Sequence, residues 1–274
     1  MEDFRFKQFS VLHRHSFKVG TDAVLLGALT PVINSISRHC ERSEAIQSSF
    51  FSTEAAPFGS PEGGKTRSFT EGKRALDIGC GSGIIALMLL QRGVSSAVGI
   101  EIDPLAAAEA AENAKESFWG DRIDIVCGDF CDPATVQDLF FFDLIVSNPP
   151  FFSNALKSPD SKRNATRHND ETLPFETLIQ NASALLADNG LFSLILPVPE
   201  AEIFIQKAAS CHLFPTEIHH IFSKPHKPES RQIVVLKKQS SPQPFFEKSL
   251  CVYQSDGSYS EDYKRVTAEF YLNF

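Results

Sequence analysis

An α/β fold with a mostly parallel sheet, covered by helices on both faces, is predicted by three observations. From Arg74 onward, short apolar runs of strand length alternate with helix-favouring segments. A glycine-rich turn, Gly79-Cys80-Gly81-Ser82-Gly83, follows the first such run and opens a helix. Two prolines, Pro149-Pro150, then stop a later run, Phe142–Ser147, because neither has an N–H to give to a sheet ladder. Asn148 is thereby left at a carboxyl tip, where open α/β sheets bind their ligands.

The elements follow in order. Phe4–Leu12 partly alternates apolar and polar residues, as a strand or hairpin with one buried face does. Gly20 makes a turn, and Thr21 or Asp22 is expected to cap a helix reaching about Leu29, before Pro31. Residues 35–72 are rich in Ser, Thr, Gly and Pro and lack periodicity, which predicts a flexible insertion. This divides the chain into an N-terminal hairpin and helix (1–34), the insertion (35–72) and a catalytic domain (73–274). Within the last, strands are expected at Ala75–Ile78, Ser96–Ile100, Ile123–Cys127, Phe142–Ser147, Leu191–Leu196, 213–222 and 231–237. Helices are expected at Ile84–Gln91, from Pro104 to about Lys115, from Pro174 to Ala187 and over Glu200–Ser210. The last 25 residues suit an edge strand and a terminal helix.

Composition narrows the function. At 274 residues and 42% hydrophobic content a large core is possible, and a net charge of −8 argues against a generally basic nucleic-acid binder. The charge is uneven: residues 151–240 carry ten Lys/Arg against nine Asp/Glu. A polyanion would therefore meet local basic clusters, Lys162, Arg163, Arg167 and His168 on one side and Lys224, His226, Lys227 and Arg231 on the other. The six cysteines are scattered without metal-knuckle or redox spacing, which suits reduced thiols in the cytoplasm. No apolar run is long enough to span a bilayer, and neither a metal nor a membrane partner is expected.

Three acids stand at successive strand tips around the glycine turn. Asp77 precedes Gly79, Gly81 and Gly83; Glu101 ends the second strand of this domain; Asp129 follows the third. A carboxylate at Glu101 can accept from two ribose hydroxyls and one at Asp129 from an adenine amine. Together the three acids give negative potential for a cationic ligand. A nicotinamide fingerprint needs its third glycine one position later, where Ile84 stands.

This spacing resembles motif I of S-adenosylmethionine methyltransferases, and implies a Rossmann-like class I fold with a seven-stranded sheet and S-adenosylmethionine as cofactor. Phe4-Arg5-Phe6-Lys7-Gln8-Phe9, the block Lys18-Val19-Gly20-Thr21-Asp22-Ala23-Val24-Leu25-Leu26-Gly27, the loop Asn148-Pro149-Pro150-Phe151 and Arg163-x-x-x-Arg167-His168 are together similar to the bacterial tRNA(Val) adenine-N6 methyltransferase family. The resemblance covers most of the chain except residues 35–72. It implies methylation of the adenine just 3′ of the anticodon, with Thr21 and Asp22 covering the methionine end of the cofactor. The expected partner is the anticodon stem-loop of tRNA, met by a monomer.

In that reading the Asn148 amide oxygen and the Pro149 carbonyl each accept one N6–H, Asn148 also bordering the cofactor, and Phe151 stacks on the extruded base. Rival readings are a ribosomal RNA guanine-N2 methyltransferase, which commonly has His where Phe152 stands, a glutamine-N5 methyltransferase of release factors, which usually has Tyr at the Phe151 position, and a non-catalytic cofactor- or RNA-binding module.

Overall fold

The computed structural model describes residues 3–16, 18–32, 72–149 and 174–273. A small antiparallel hairpin comes first, β1 (Phe4–Arg5) and β2 (Ser10–Val11), followed by α1 (Thr21–Leu29). The main unit then runs β3 (Arg74–Ile78), α2 (Ile84–Gln91), β4 (Ser96–Glu101), α3 (Pro104–Glu116), β5 (Ile123–Cys127), α4 (Pro133–Val136), β6 (Phe142–Ser147), α5 (Phe175–Leu185), β7 (Leu186–Leu196), α6 (Val198–Ala208), β8 (Leu213–Phe222), β9 (Glu229–Lys238), β10 (Phe246–Cys251) and α7 (Glu261–Thr267). The sheet has the order β10-β8-β9-β7-β6-β3-β4-β5, in which β9 alone runs antiparallel to its neighbours. It has eight strands, the expected seven plus β10 at one edge.

The central strands read as apolar runs because both faces are covered. On one face α1 and α2 pack with the hairpin, through Val24, Leu25, Leu87 and Met88. On the other, α5 and α6 bury Leu178, Ile179 and Phe204 against Leu76, Ile145 and Phe192. Helices α1 and α2 approach closely at Gly27, where a Cβ would lie 2.7 Å from the Met88 sulfur.

Several boundaries differ from expectation. The fifth helix stops at Leu185 rather than Ala187, and β7 begins five residues early at Leu186, pairing there with Phe142. Asn189, at φ 61°, and Gly190 then kink this strand back into register. Helix α6 starts at Val198, two residues early, because Pro199 is tolerated in a first turn. The short α4, capped by Asp132 through Ala134 N–H at 2.9 Å, was not anticipated. Helix α1 is not capped by Thr21 or Asp22: its N-cap is Gly20, without a side-chain bond, so both residues lie in its first turn.

The hairpin is latched to the C-terminal helix region. Phe6 pairs with Tyr271, Lys7 N–H donates to Phe270 O at 2.8 Å, and Lys7 Nζ donates to Ala268 O at 2.7 Å. The expected insertion falls almost wholly outside the described residues, as do Phe151, Lys162, Arg163, Arg167 and His168.

Candidate active site at the carboxyl edge of the sheet

Four adjacent strands, β6-β3-β4-β5, end level with one another, Ile78 pairing with both Ser147 and Ile100, and Glu101 with Cys127. Their tips therefore present, in line, Asn148, the glycine turn, Glu101 and Asp129. At one strand spacing per step the row extends about 14 Å. Sequence distance hides this order, because β6 comes last in the chain yet sits first in the row.

The turn after β3 has Gly79, Gly81 and Gly83 at φ 69°, 54° and 78°. A side chain there would be strained in each case. At Gly79 and Gly81 an added Cβ meets nothing within 4 Å, so these two line open space through which a ligand can approach the backbone. Amides of Gly79 and Cys80 donate to Ile100 O at 2.9 and 3.0 Å, fastening the turn to β4.

Asp77 is 1% exposed beneath this turn. One carboxylate oxygen accepts from Ala86 N–H at 3.2 Å, and the other has no partner among the described residues. Burial pushes its carboxyl up to about 7, the Ala86 amide opposes this, and nearby Glu101 adds to it. Glu101 is half-buried, one oxygen accepting from Gly81 N–H at 2.9 Å and the other from Asp103 N–H at 3.0 Å. Each oxygen keeps a second lone pair for a ligand hydroxyl. Asp129 accepts from Cys131 N–H at 2.8 Å, which ties its carboxylate to the loop after β5.

Asn148 is half-buried and Pro149 buried. The Ser147 hydroxyl donates to Ile78 O at 3.0 Å and fixes the β6 tip against β3. The residues present fit S-adenosylmethionine: an open glycine cradle, an unpartnered buried acceptor on Asp77, and a carboxylate at the next strand tip.

Sequence reasoning missed the N-terminal clasp. On α3, Glu109 is 4% and Asn113 2% exposed, one turn apart on an otherwise alanine-rich helix. That i, i+4 polar pair was the available signal. Glu109 accepts from the amides of Arg14, His15 at 3.0 Å and Ser16 at 3.1 Å, and from the Ser16 hydroxyl. Burial pushes its carboxyl up, but these donors outweigh it and hold it below the usual range. Asn113 accepts from Leu12 N–H at 2.7 Å and donates to Leu12 O at 3.0 Å and Ser82 O at 2.9 Å. It thus joins the N-terminal segment to the glycine turn. Asp22 bonds Arg231 at 3.0 Å, so both residues already hold each other, the guanidinium also reaching Ser230 O at 2.8 Å. Thr21, beside Asp22, is half-buried. Lys224, His226 and Lys227 lie in the β8–β9 turn at the same end of the sheet, three strand positions across from β6 and, since Ser147 is level with Ile218 through Leu194 and Val234, further out along the strands than Asn148.

Comparisons with known proteins identify the family. Residues 65–197 match the model of the methyltransferase small domain. A Bacteroides fragilis protein named tRNA1(Val) (adenine(37)-N6)-methyltransferase is 38% identical over 98% of this chain and 97% of its own length. Another of that name from Yersinia enterocolitica is 33% identical over 99% and 93%. The crystal structure of "a predicted O-methyltransferase, protein Atu636 from Agrobacterium tumefaciens" superposes with a TM-score of 0.60 at 17% identity, over 90% of this chain and 96% of that one, which shows a shared fold. Together with the row of strand tips, these relationships show that the chain belongs to the tRNA1(Val) (adenine(37)-N6)-methyltransferase family of class I S-adenosylmethionine-dependent enzymes.

Proposed function

We propose that this protein transfers a methyl group from S-adenosylmethionine to N6 of an adenine in tRNA, the adenine at position 37 of valine tRNA, reached through the anticodon stem-loop. The carrying observation is the row Asn148, glycine turn, Glu101, Asp129 along one sheet edge. That row supports a reading with an amide acceptor at one end of a cofactor cradle. The cofactor supplies an electrophilic methyl on a sulfonium.

The protein's part is positioning. An exocyclic adenine amine is a poor nucleophile because its lone pair is delocalised into the ring. Asn148 Oδ1 and the Pro149 carbonyl each accept one of its hydrogens, which favours a pyramidal nitrogen with a localised lone pair. The rigid prolines keep both acceptors fixed, so little reorganisation is needed as the nitrogen changes shape. Asp77, Glu101 and Asp129 hold the cofactor, with Thr21 and Asp22 beside its amino-acid end. Phe151 stacks on the base, and the Lys224–Lys227 turn lies near enough to meet the phosphates of the same RNA. A cytoplasmic monomer suits this work. Among the described residues no helix is long and apolar enough to cross a membrane.

The test incubates the purified protein with labelled S-adenosylmethionine and, separately, valine tRNA, ribosomal RNA and release factor. Label recovered as N6-methyladenosine from position 37 of the tRNA is expected. Label in guanine or in glutamine instead would overturn the assignment.

A further inference from the structure

We propose that Arg14, His15 and Lys18 form a second RNA-contacting rim beside the active site, in which Glu109 pins the backbone of Arg14 and His15 and Asn113 that of Leu12; this rests on the tRNA reading above. Arg14, His15 and Lys18 are exposed. Three successive amides, of Arg14, His15 and Ser16, turn inward onto the Glu109 carboxylate. With the backbone donors spent inward, the side chains of Arg14 and His15 are left at the surface.

The location follows from the two ends of the segment. At one end Asn113 ties Leu12 to Ser82 in the glycine turn. At the other, Asp22 is held by Arg231, at the start of β9 and next to the β8–β9 turn. Residues 12–16 and 18–22 therefore run past the row of strand tips that contains Asn148. The basic β8–β9 turn stands on one side of that row, and Arg14 with His15 on the other.

Charge points the same way. In a chain of net charge −8, residues 3–32 hold four Lys/Arg and two Asp/Glu. Asp22 is committed to Arg231, and Lys7 to the Ala268 carbonyl. Neither Arg14 nor Lys18 forms an ion pair among the described residues. A cation on a pinned backbone, as Arg14 is, loses less freedom on binding than one on a loose tail, and Lys18 adds a second exposed charge for phosphates flanking an extruded base. Solvated surface charges would have no need of a buried carboxylate collecting the amides beneath them.

The experiment measures binding of a fluorescent valine-tRNA anticodon stem-loop across a salt series, with calorimetric cofactor affinity and Tm alongside. The double variant Arg14→Ala/Lys18→Ala is expected to bind RNA about tenfold more weakly at moderate salt. Its slope of log affinity against log salt should be shallower by about one to two. Tm should be unchanged. Glu109→Gln keeps both cations but loosens the backbone of Arg14, and is expected to weaken RNA binding while opening residues 14–16 to protease. Wild-type RNA affinity and salt slope in the double variant would overturn the inference even if adenine N6 were still methylated. Failure of the unmodified protein to bind or methylate the RNA would instead overturn the functional reading beneath it.

Discussion

Asp22 and Arg231 lie 209 positions apart in the chain and meet at 3.0 Å, joining the first turn of α1 to the start of β9. Both side chains are about one-third exposed, at 34% and 35%. At such exposure an ion pair contributes about 1 kcal/mol or less to stability. A double-mutant cycle with Asp22→Asn and Arg231→Gln, read by urea unfolding, is expected to give a coupling of about 0.5–1 kcal/mol. The larger effect should fall on the cofactor, because the pair orients the Thr21–Asp22 turn. Additive losses in both readouts would mean that the two residues act independently.

Asn148 should matter most in the transition state, where the amine hydrogens are most positive. Asn148→Ala is expected to lower the single-turnover rate by about 10²–10³ at saturating cofactor and tRNA, as loss of one preorganised acceptor does. Asn148→Asp keeps an acceptor and should retain part of the rate. Phe151→Ala should chiefly raise KM for RNA, and Phe151→Tyr should change little. A wild-type rate for Asn148→Ala under those conditions would remove the loop from the chemistry.

Asp77 carries a pH signature. Its carboxyl titrates at about 7 in the folded protein and near 3.8 when unfolded, so the folded state binds the extra proton between these values. Stability therefore falls as pH rises from about 4 through 7, and the ionised form costs on the order of 4 kcal/mol. Asp77→Asn should raise Tm at pH 8, leave it nearly unchanged at pH 4, and weaken cofactor binding about tenfold or more. Thermal melts across that range check the first two, and calorimetry the third. A Tm gain of equal size at both pH values would exclude ionisation as its source.

Deleting Ser43–Thr70 is expected to leave cofactor affinity and Tm nearly unchanged, since this stretch lacks the periodicity of a core element. Cooperative loss of folding on deletion would show the opposite. Circular dichroism and calorimetry on the shortened chain decide it.

Strand and helix positions were legible where periodicity and punctuation agreed. Ile84–Gln91, Ile123–Cys127 and Phe142–Ser147 match residue for residue, because Gly83, Gly128 and Pro149 mark their limits. Leu186–Gly190 was misread as helix end and loop. Its polar Asp188-Asn189-Gly190 hides a strand whose pairing is set by Phe142 from a distance. Glycine turn and strand-tip acids were visible because each lies next to its own strand in sequence. The clasp of Glu109 and Asn113 was not, because its partners at residues 12–16 lie about a hundred positions away and are bound through their backbone, which leaves no residue type as a mark. The ion pair of Arg231 was hidden for a similar reason: its charge is plain in the sequence, its partner Asp22 is not.

The latch between Lys7 and the region of Ala268 sets a timetable for synthesis. These residues are 261 positions apart, so the hairpin that emerges early must wait for its seat. At ordinary elongation rates of about 5–20 residues per second the delay is about 13–50 s. During that interval residues 12–16 can already find Glu109 and Asn113, while the hairpin at Lys7 still lacks the carbonyls of Ala268 and Phe270, so the N-terminal arm is seated in two steps, its inner end first.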